Sequence, residues 1–327
     1  MTLTRRAALA LTAASLATPA LAQGRSAAAR DRARGFSQIH SLIVMQDGAE
    51  VVAETFRGPG LDAPANVKSV SKTIVATLLG AAIDRGAVPG VEATLAEVAP
   101  RLVPSGADPR VGGITMEDLV TLRAGLERTS GGNYGPWVAS SNWVANALSR
   151  PFVAEPGGRM LYSTGSTHVL GAALSEATGE SLLTLARDWL GSPLGIDIPP
   201  WTRDPQGRFM GGNEMALSPR AMALFGEMIR QDGIWDGAQV LSGDWIAASF
   251  VPRTRSPYSG LSYGYGWFLG SAGGADYALA RGYGGQIIAV SPDKGITVAI
   301  TSDPLQPARS DGYFGDLQRM IEDDILS

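Results

Sequence analysis

The sequence predicts an α+β fold: an antiparallel sheet, built from an N-terminal hairpin and C-terminal strands and flanked by helices, with a mostly helical region inserted between them. Three observations carry that expectation. The stretch "SLIVMQDGAEVVAETF" places two apolar runs on either side of Asp47-Gly48, a tight-hairpin dipeptide. From about Ser69 to Phe250 the apolar residues recur at helical spacing. From Ser262 onward short apolar runs alternate with turn residues.

At the N-terminus, residues 1–22 join Arg5 and Arg6 to an Ala/Leu run ending Ala20-Leu21-Ala22, which predicts a secretory signal cleaved before Gln23, with the arginine pair suggesting the twin-arginine route. The run is shorter than the roughly 20 apolar residues a membrane span needs. No later stretch is long enough, so a periplasmic or secreted protein is expected, with no membrane span after signal cleavage. Residues 23–327 then form one domain, its sheet part at 23–68 and 251–327 and its helical part at 69–250. "GRSAAARDRARGFSQIHS" reads as a surface helix before the hairpin. "KTIVATLLGAAIDRG", "STHVLGAALSEATG" and "SPRAMALFGEMIRQDG" each end at a glycine, as helix C-termini do. "SYGYGWFLG", "YALARG", "GQIIAVS" and "GITVAITS" read as strands, and "YFGDLQRMIEDDIL" as a closing amphipathic helix.

Composition narrows the chemistry. The net charge of −4 becomes −6 once Arg5 and Arg6 leave with the signal, so no nucleic-acid footprint is expected. The chain has no cysteine, which removes disulfides, thiolate metal sites and a cysteine nucleophile; with only His40 and His168, no metal centre or cofactor is expected.

Three serines compete as nucleophile. Gly260-Leu261-Ser262-Tyr263-Gly264 fits G-x-S-x-G, but the residues after it read as a strand and both histidines precede it, against the pattern of a nucleophile elbow. The spacing S-x-x-K occurs at Ser291/Lys294, in a Pro-Asp-Lys-Gly turn, and at Ser69/Lys72, where a helix is expected to begin at Ser69. On a helix, residues three apart share a face, so Ser69 Oγ and Lys72 Nζ can meet. The apolar run from Ile74 to Ile83 predicts a buried helix, where a lysine needs partners or gives up its proton. The chain carries 3 lysines against 24 arginines, and arginine cannot serve as a base. The local alternative is that Ser69 caps the helix and Lys72 reaches the surface. Locally, both readings stand.

Further on, "YST" at Tyr162–Thr164 supplies a tyrosine in a loop before a helix, and "ARGYGGQ" at Ala280–Gln286 a glycine-rich strand end. With these the chain resembles the serine β-lactamase and penicillin-binding-protein superfamily, in its class C-like branch of esterases, D,D-carboxypeptidases and 6-aminohexanoate-dimer hydrolases. "SVSK" stands for the family's S-x-x-K, "ITMEDLVTLRAGL" for its "ITxxxLLxHTSGL", "YST" for Y-x-N, and "ARG" for K-T-G or H-x-G. The β-lactamase/transpeptidase-like fold is thereby implied.

The resemblance implies that Ser69 attacks an ester or amide carbonyl, Lys72 and Tyr162 share the proton transfers, and backbone N–H groups of Ser69 and Tyr283 form the oxyanion hole. Thr164, Arg281 and Gly282 are expected at the substrate, and Tyr134 and Trp137, from "GGNYGPWVASSNW", as cleft-lining aromatics; His168 reads as packed. Two departures from the pattern matter: Thr164 replaces Asn, and Ala280, followed by Arg281, replaces the Lys or His of the third motif. The implied substrate is a small-molecule ester, amide or peptide. A β-lactamase or D,D-carboxypeptidase is the alternative, and a non-catalytic domain that binds cell-wall peptide is an alternative of another class.

Overall fold

The computed structural model describes residues 27–327; the export signal expected over residues 1–22 lies outside the described residues. A helix α1 (residues 27–35) leads into strands β1 (Ile39–Gln46) and β2 (Ala49–Thr55). Asp47 and Gly48 take φ values of 49° and 85°, the left-handed pair that a two-residue hairpin turn demands.

The middle of the chain contributes a short pair, β3 (Ala65–Lys68) with β4 (Met215–Leu217), and the two-residue strands β5 (Ile234–Trp235) and β6 (Ala238–Gln239). Its helices are α2 (Ser71–Asp84), α3 (Leu95–Val98), α4 (Met116–Val120), α5 (Tyr134–Val138), α6 (Trp143–Leu148), α7 (Thr164–Thr178), α8 (Leu182–Ala186), α9 (Ser192–Leu194), α10 (Pro219–Arg230) and α11 (Gly243–Ser249). Strands β7 (Thr254–Arg255), β8 (Ser262–Tyr263), β9 (Phe268–Ala272), β10 (Ala275–Gly282), β11 (Gln286–Ser291) and β12 (Ile296–Ser302) come next, and α12 (Tyr313–Met320), continued by a π-helical turn at Ile321–Ile325, comes last.

The main sheet has eight strands in the order β2-β1-β12-β11-β10-β9-β8-β7, every neighbour antiparallel. The N-terminal hairpin is therefore stitched to the C-terminal strand, with Leu42 opposite Ile300 and Val44 opposite Val298. Alternation sorts β1 onto two faces. Leu42 and Val44 join α1 and α12 in one core, while Ile43 and Met45 join α2 and the inserted helices in the other. Ser262 sits in a strand, and Ser291 donates to the Asp276 carbonyl (2.7 Å) rather than to Lys294. Among the described residues no helix is long and apolar enough to cross a membrane.

Candidate active site

Strand β3 delivers the chain to α2 through a turn at Lys68, Ser69 and Val70. Lys68 adopts φ 51° and Glu214, across from it in the chain entering β4, φ 69°. Such left-handed conformations are strained for non-glycine residues and persist where surrounding contacts hold them. Here an ion pair of 2.9 Å joins the two side chains, and Asn66 Nδ2 donates to the same carboxylate (2.6 Å).

The helix begins at Ser71, two residues later than the sequence suggests, because the left-handed Lys68 and a tight turn closed by Lys72 N–H on Ser69 O (3.0 Å) precede it. Ser69 caps nothing: the position before the helix is Val70, which has no side-chain cap. Its hydroxyl instead accepts from Lys72 Nζ at 3.1 Å. Every residue of α2 from Ser71 to Ala82 is buried.

Lys72 is therefore an amine inside a core, only 3% exposed. It also donates to Thr164 Oγ1 (3.2 Å) and the Gly212 carbonyl (2.6 Å). Burial lowers its pKa from 10.5 to about 7. Thr164, the first residue of α7, is fixed by Ser130, whose hydroxyl accepts from Thr164 N (2.9 Å) and lies 3.0 Å from Thr164 Oγ1.

The Tyr162 ring faces Phe268, with Lys72 Nζ 5.0 Å from its centroid. Burial raises the tyrosine's pKa above 10.0, opposed by a hydrogen bond with Ser69 and the charge of Arg281. Alternation along β10 sends Ala280 into the core and Arg281 into the cleft. The Arg281 guanidinium lies 3.5 Å from the Phe314 centroid and 5.1 Å from that of Phe268, and donates to Ser310 Oγ (3.1 Å). Burial lowers its pKa to about 10.

A Cβ on Gly282 would stand 2.3 Å from the Val67 carbonyl, so β10 passes β3 at a distance only glycine permits. The chain then turns at Tyr283, half of whose surface is exposed at the cleft mouth. Neither Ser69 N–H nor Tyr283 N–H has an acceptor among the described residues.

Ser69, Tyr162, Thr164, Tyr134, Arg281, Gly282 and Tyr283 all line one cleft of about 980 Å³. A smaller cavity of about 450 Å³, bordered by Phe250 and Tyr277, lies away from Ser69. Trp137 departs from the sequence expectation. It is fully buried, donates to the Trp143 carbonyl (2.9 Å) and stands behind Tyr134, outside the cleft, so its role as a cleft-lining aromatic is corrected to core packing. Ser130 and Gly212 are site residues that sequence reasoning misses, their only local signal being the glycine pairs in "SGGN" and "FMGGN".

The family model described as Beta-lactamase matches residues 20–318. The chain belongs to the Beta-lactamase family. It is a family of serine hydrolases. Solved structures share the β-lactamase fold at low identity. EstCE1, "a hydrolase with promiscuous acyltransferase activity", superposes with a TM-score of 0.75 at 17% identity, covering 96% of this chain and 100% of that one. A Bacillus anthracis protein assigned as a 6-aminohexanoate-dimer hydrolase gives 0.74 at 17% identity, covering 86% and 78%. An octameric penicillin-binding-protein homologue from Pyrococcus abyssi gives 0.66 at 18% identity, covering 82% and 71%. No curated protein matches the sequence. Ser69 and Tyr162 line one cleft, and Lys72, buried beneath it, reaches both the Ser69 hydroxyl and the Tyr162 ring.

Proposed function

We infer that the protein hydrolyses an ester or amide through an acyl-enzyme on Ser69. One observation carries the reading: the Ser69 hydroxyl lies 3.1 Å from a buried lysine whose pKa has fallen to about 7. A neutral Lys72 amine donates to Gly212 O and Thr164 Oγ1, leaving its lone pair for the Ser69 proton.

As that proton moves to Lys72, Ser69 Oγ bonds to the substrate carbonyl carbon, whose oxygen takes the negative charge. The free N–H groups of Ser69 and Tyr283 are the donors suited to that oxyanion, the first also at the positive end of α2. The tetrahedral adduct collapses, and the leaving group departs with a proton supplied through Tyr162. The raised pKa of Tyr162 keeps it protonated at neutral pH, and Lys72 restores its proton. Water repeats the sequence on the acyl-enzyme.

The substrate is a small ester, amide or peptide. Arg281 favours one bearing a carboxylate, which keeps a β-lactam or D-alanyl peptide as the second reading. Export to the periplasm or beyond belongs to the same proposal, resting on residues 1–22. The test is labelling with a fluorophosphonate and turnover of p-nitrophenyl esters. Wild type gains the probe's mass and S69A gains none; equal labelling of S69A removes Ser69 from the role, and binding without turnover makes the protein a receptor.

A further inference from the structure

One buried titratable pair has no part in that chemistry. His168, fully buried in α7 one turn beyond Thr164, lies against the rings of Trp137 and Trp143, with centroids 5.8 and 5.6 Å away. Its Nε2 stands 3.2 Å from Asp204 Oδ2, and its Nδ1 faces Gly211 N–H at 3.3 Å. An amide nitrogen can only donate, so Nδ1 carries the lone pair and Nε2 donates its proton to Asp204. The tautomer is thus fixed from both sides. Asp204 is held in turn: Oδ1 accepts from the N–H groups of Gln206 (2.9 Å) and Arg208 (2.8 Å), and the Arg208 guanidinium lies 3.7 Å from Oδ2. Burial would raise its pKa, but His168 and Arg208 prevail and keep it below 3.8.

Gly211 adjoins Gly212, whose carbonyl takes the shortest hydrogen bond of Lys72. The segment from Met210 to Asn213 lies flat on the first turns of α7. A Cβ on Gly211 would be 2.4 Å from the Thr167 carbonyl, and one on Gly212 2.7 Å from that of Thr164. Two glycines have no side chains to anchor them, so backbone hydrogen bonds set where the segment points. Trp201 Nε1 fixes one end through Met210 O (2.8 Å), and Met215 N–H fixes the other through Ser71 Oγ (3.2 Å). Between them Gly211 N–H donates to His168 Nδ1, and Asn213 Nδ2 to the Tyr134 hydroxyl (2.9 Å).

We propose that Asp204 and His168 are positioning residues for Lys72: they hold Gly211–Gly212 so that the Gly212 carbonyl orients the amine toward Ser69. This rests on Lys72 being the base of Ser69 in the proposed hydrolase.

The experiment is a tautomer switch. In D204N the side-chain oxygen stays with Gln206 and Arg208, so the amide nitrogen faces His168. Nε2 must then accept, the proton moves to Nδ1, and two N–H groups oppose each other at Gly211. H168N supplies an oxygen near the position of Nδ1 and needs nothing from Asp204, whereas H168L supplies none. Ester turnover and the rate of Ser69 labelling are followed against pH, per folded molecule as counted by near-UV circular dichroism. D204N and H168L are expected to lower kcat about 10–100-fold, with KM within about threefold, and to move the acid limb of the pH profile. H168N recovers most of that loss, and D204N adds little in the H168N background.

The inference is overturned if D204N and H168L keep the wild-type kcat and pH profile, or if D204N costs the same in both backgrounds. Wild type labelled at Ser69 with unaffected variants sinks this inference alone. Wild type that never labels sinks the hydrolase reading and this one with it.

Discussion

Replacing Lys72 by arginine keeps the positive charge and removes the option of losing it. A lysine pKa of about 7 instead of 10.5 makes half the amines neutral at pH 7. At 10.5 that fraction would be about 0.03%, so burial raises the population of competent base on the order of 10³-fold. The pH profile of kcat/KM should follow that ionisation. Activity at pH 5 is expected to be about 50-fold below that at pH 7, and activity at pH 9 only about twice as high. Tyr162, with its pKa above 10.0, does not interfere in that range. K72R should lose about 10²–10⁴-fold at pH 7 and above, and less at pH 5, where most of Lys72 is already protonated. The assay is p-nitrophenyl ester hydrolysis by wild type and K72R between pH 5 and 9, with the uncatalysed rate subtracted. A profile that climbs tenfold per pH unit through pH 9 would mean that Lys72 keeps an ordinary pKa. A flat profile, or K72R within about tenfold of wild type at pH 7 and above, would remove Lys72 as the base.

Y162F keeps the ring against Phe268 and should lose about 10²–10³-fold in kcat with an unchanged melting temperature, read by steady-state kinetics and calorimetry. G282A drives a methyl group into the Val67 carbonyl, 2.3 Å from the added carbon, and should cost about 2 kcal/mol or more by urea denaturation while lowering turnover. Glu227, buried beneath the sheet, would have its pKa raised by burial, yet hydrogen bonds from Arg230 and Thr297 prevail and hold it below 4.5. The unfolded carboxylate therefore binds protons more readily, so this contribution is intact above pH 4.5 and is lost as pH falls through the folded pKa. E227Q should flatten the acid limb of stability measured by denaturant midpoint against pH, and an unchanged limb would assign it to other carboxylates.

Much of the fold and the site is legible along the chain because local rules and tertiary structure agree. Between two apolar runs Asp47-Gly48 takes up the turn that its sequence favours, and the long apolar run after Lys72 folds as a buried helix. Lys72 stands out by rarity, among 24 arginines. The helix start is not legible because Lys68 adopts a left-handed conformation that no glycine announces; the ion pair with Glu214, far along the chain, holds it. Trp137 misleads because an aromatic in a glycine- and proline-containing loop fits a cleft wall and a core equally well, and only the neighbours Trp143 and His168 decide. Ser130 and Gly212 carry no motif: each matters through hydrogen bonds to a residue on a separate element.

The pairing of β1 with β12 also fixes when the sheet can be complete during synthesis. The first strand emerges early but finds its central partner only when residues Ile296–Ser302 have been made. Until then one edge of β1 presents unpaired backbone N–H and C=O groups, a template for pairing with other chains. Ser69 and Lys72 are translated long before Arg281 and Tyr283 can complete the cleft, so a prematurely terminated chain holds the Ser69–Lys72 pair beside an unfinished cleft. Long-range closure of this kind slows folding. The complete cleft thus forms only late in translation, with the strand that seals the sheet.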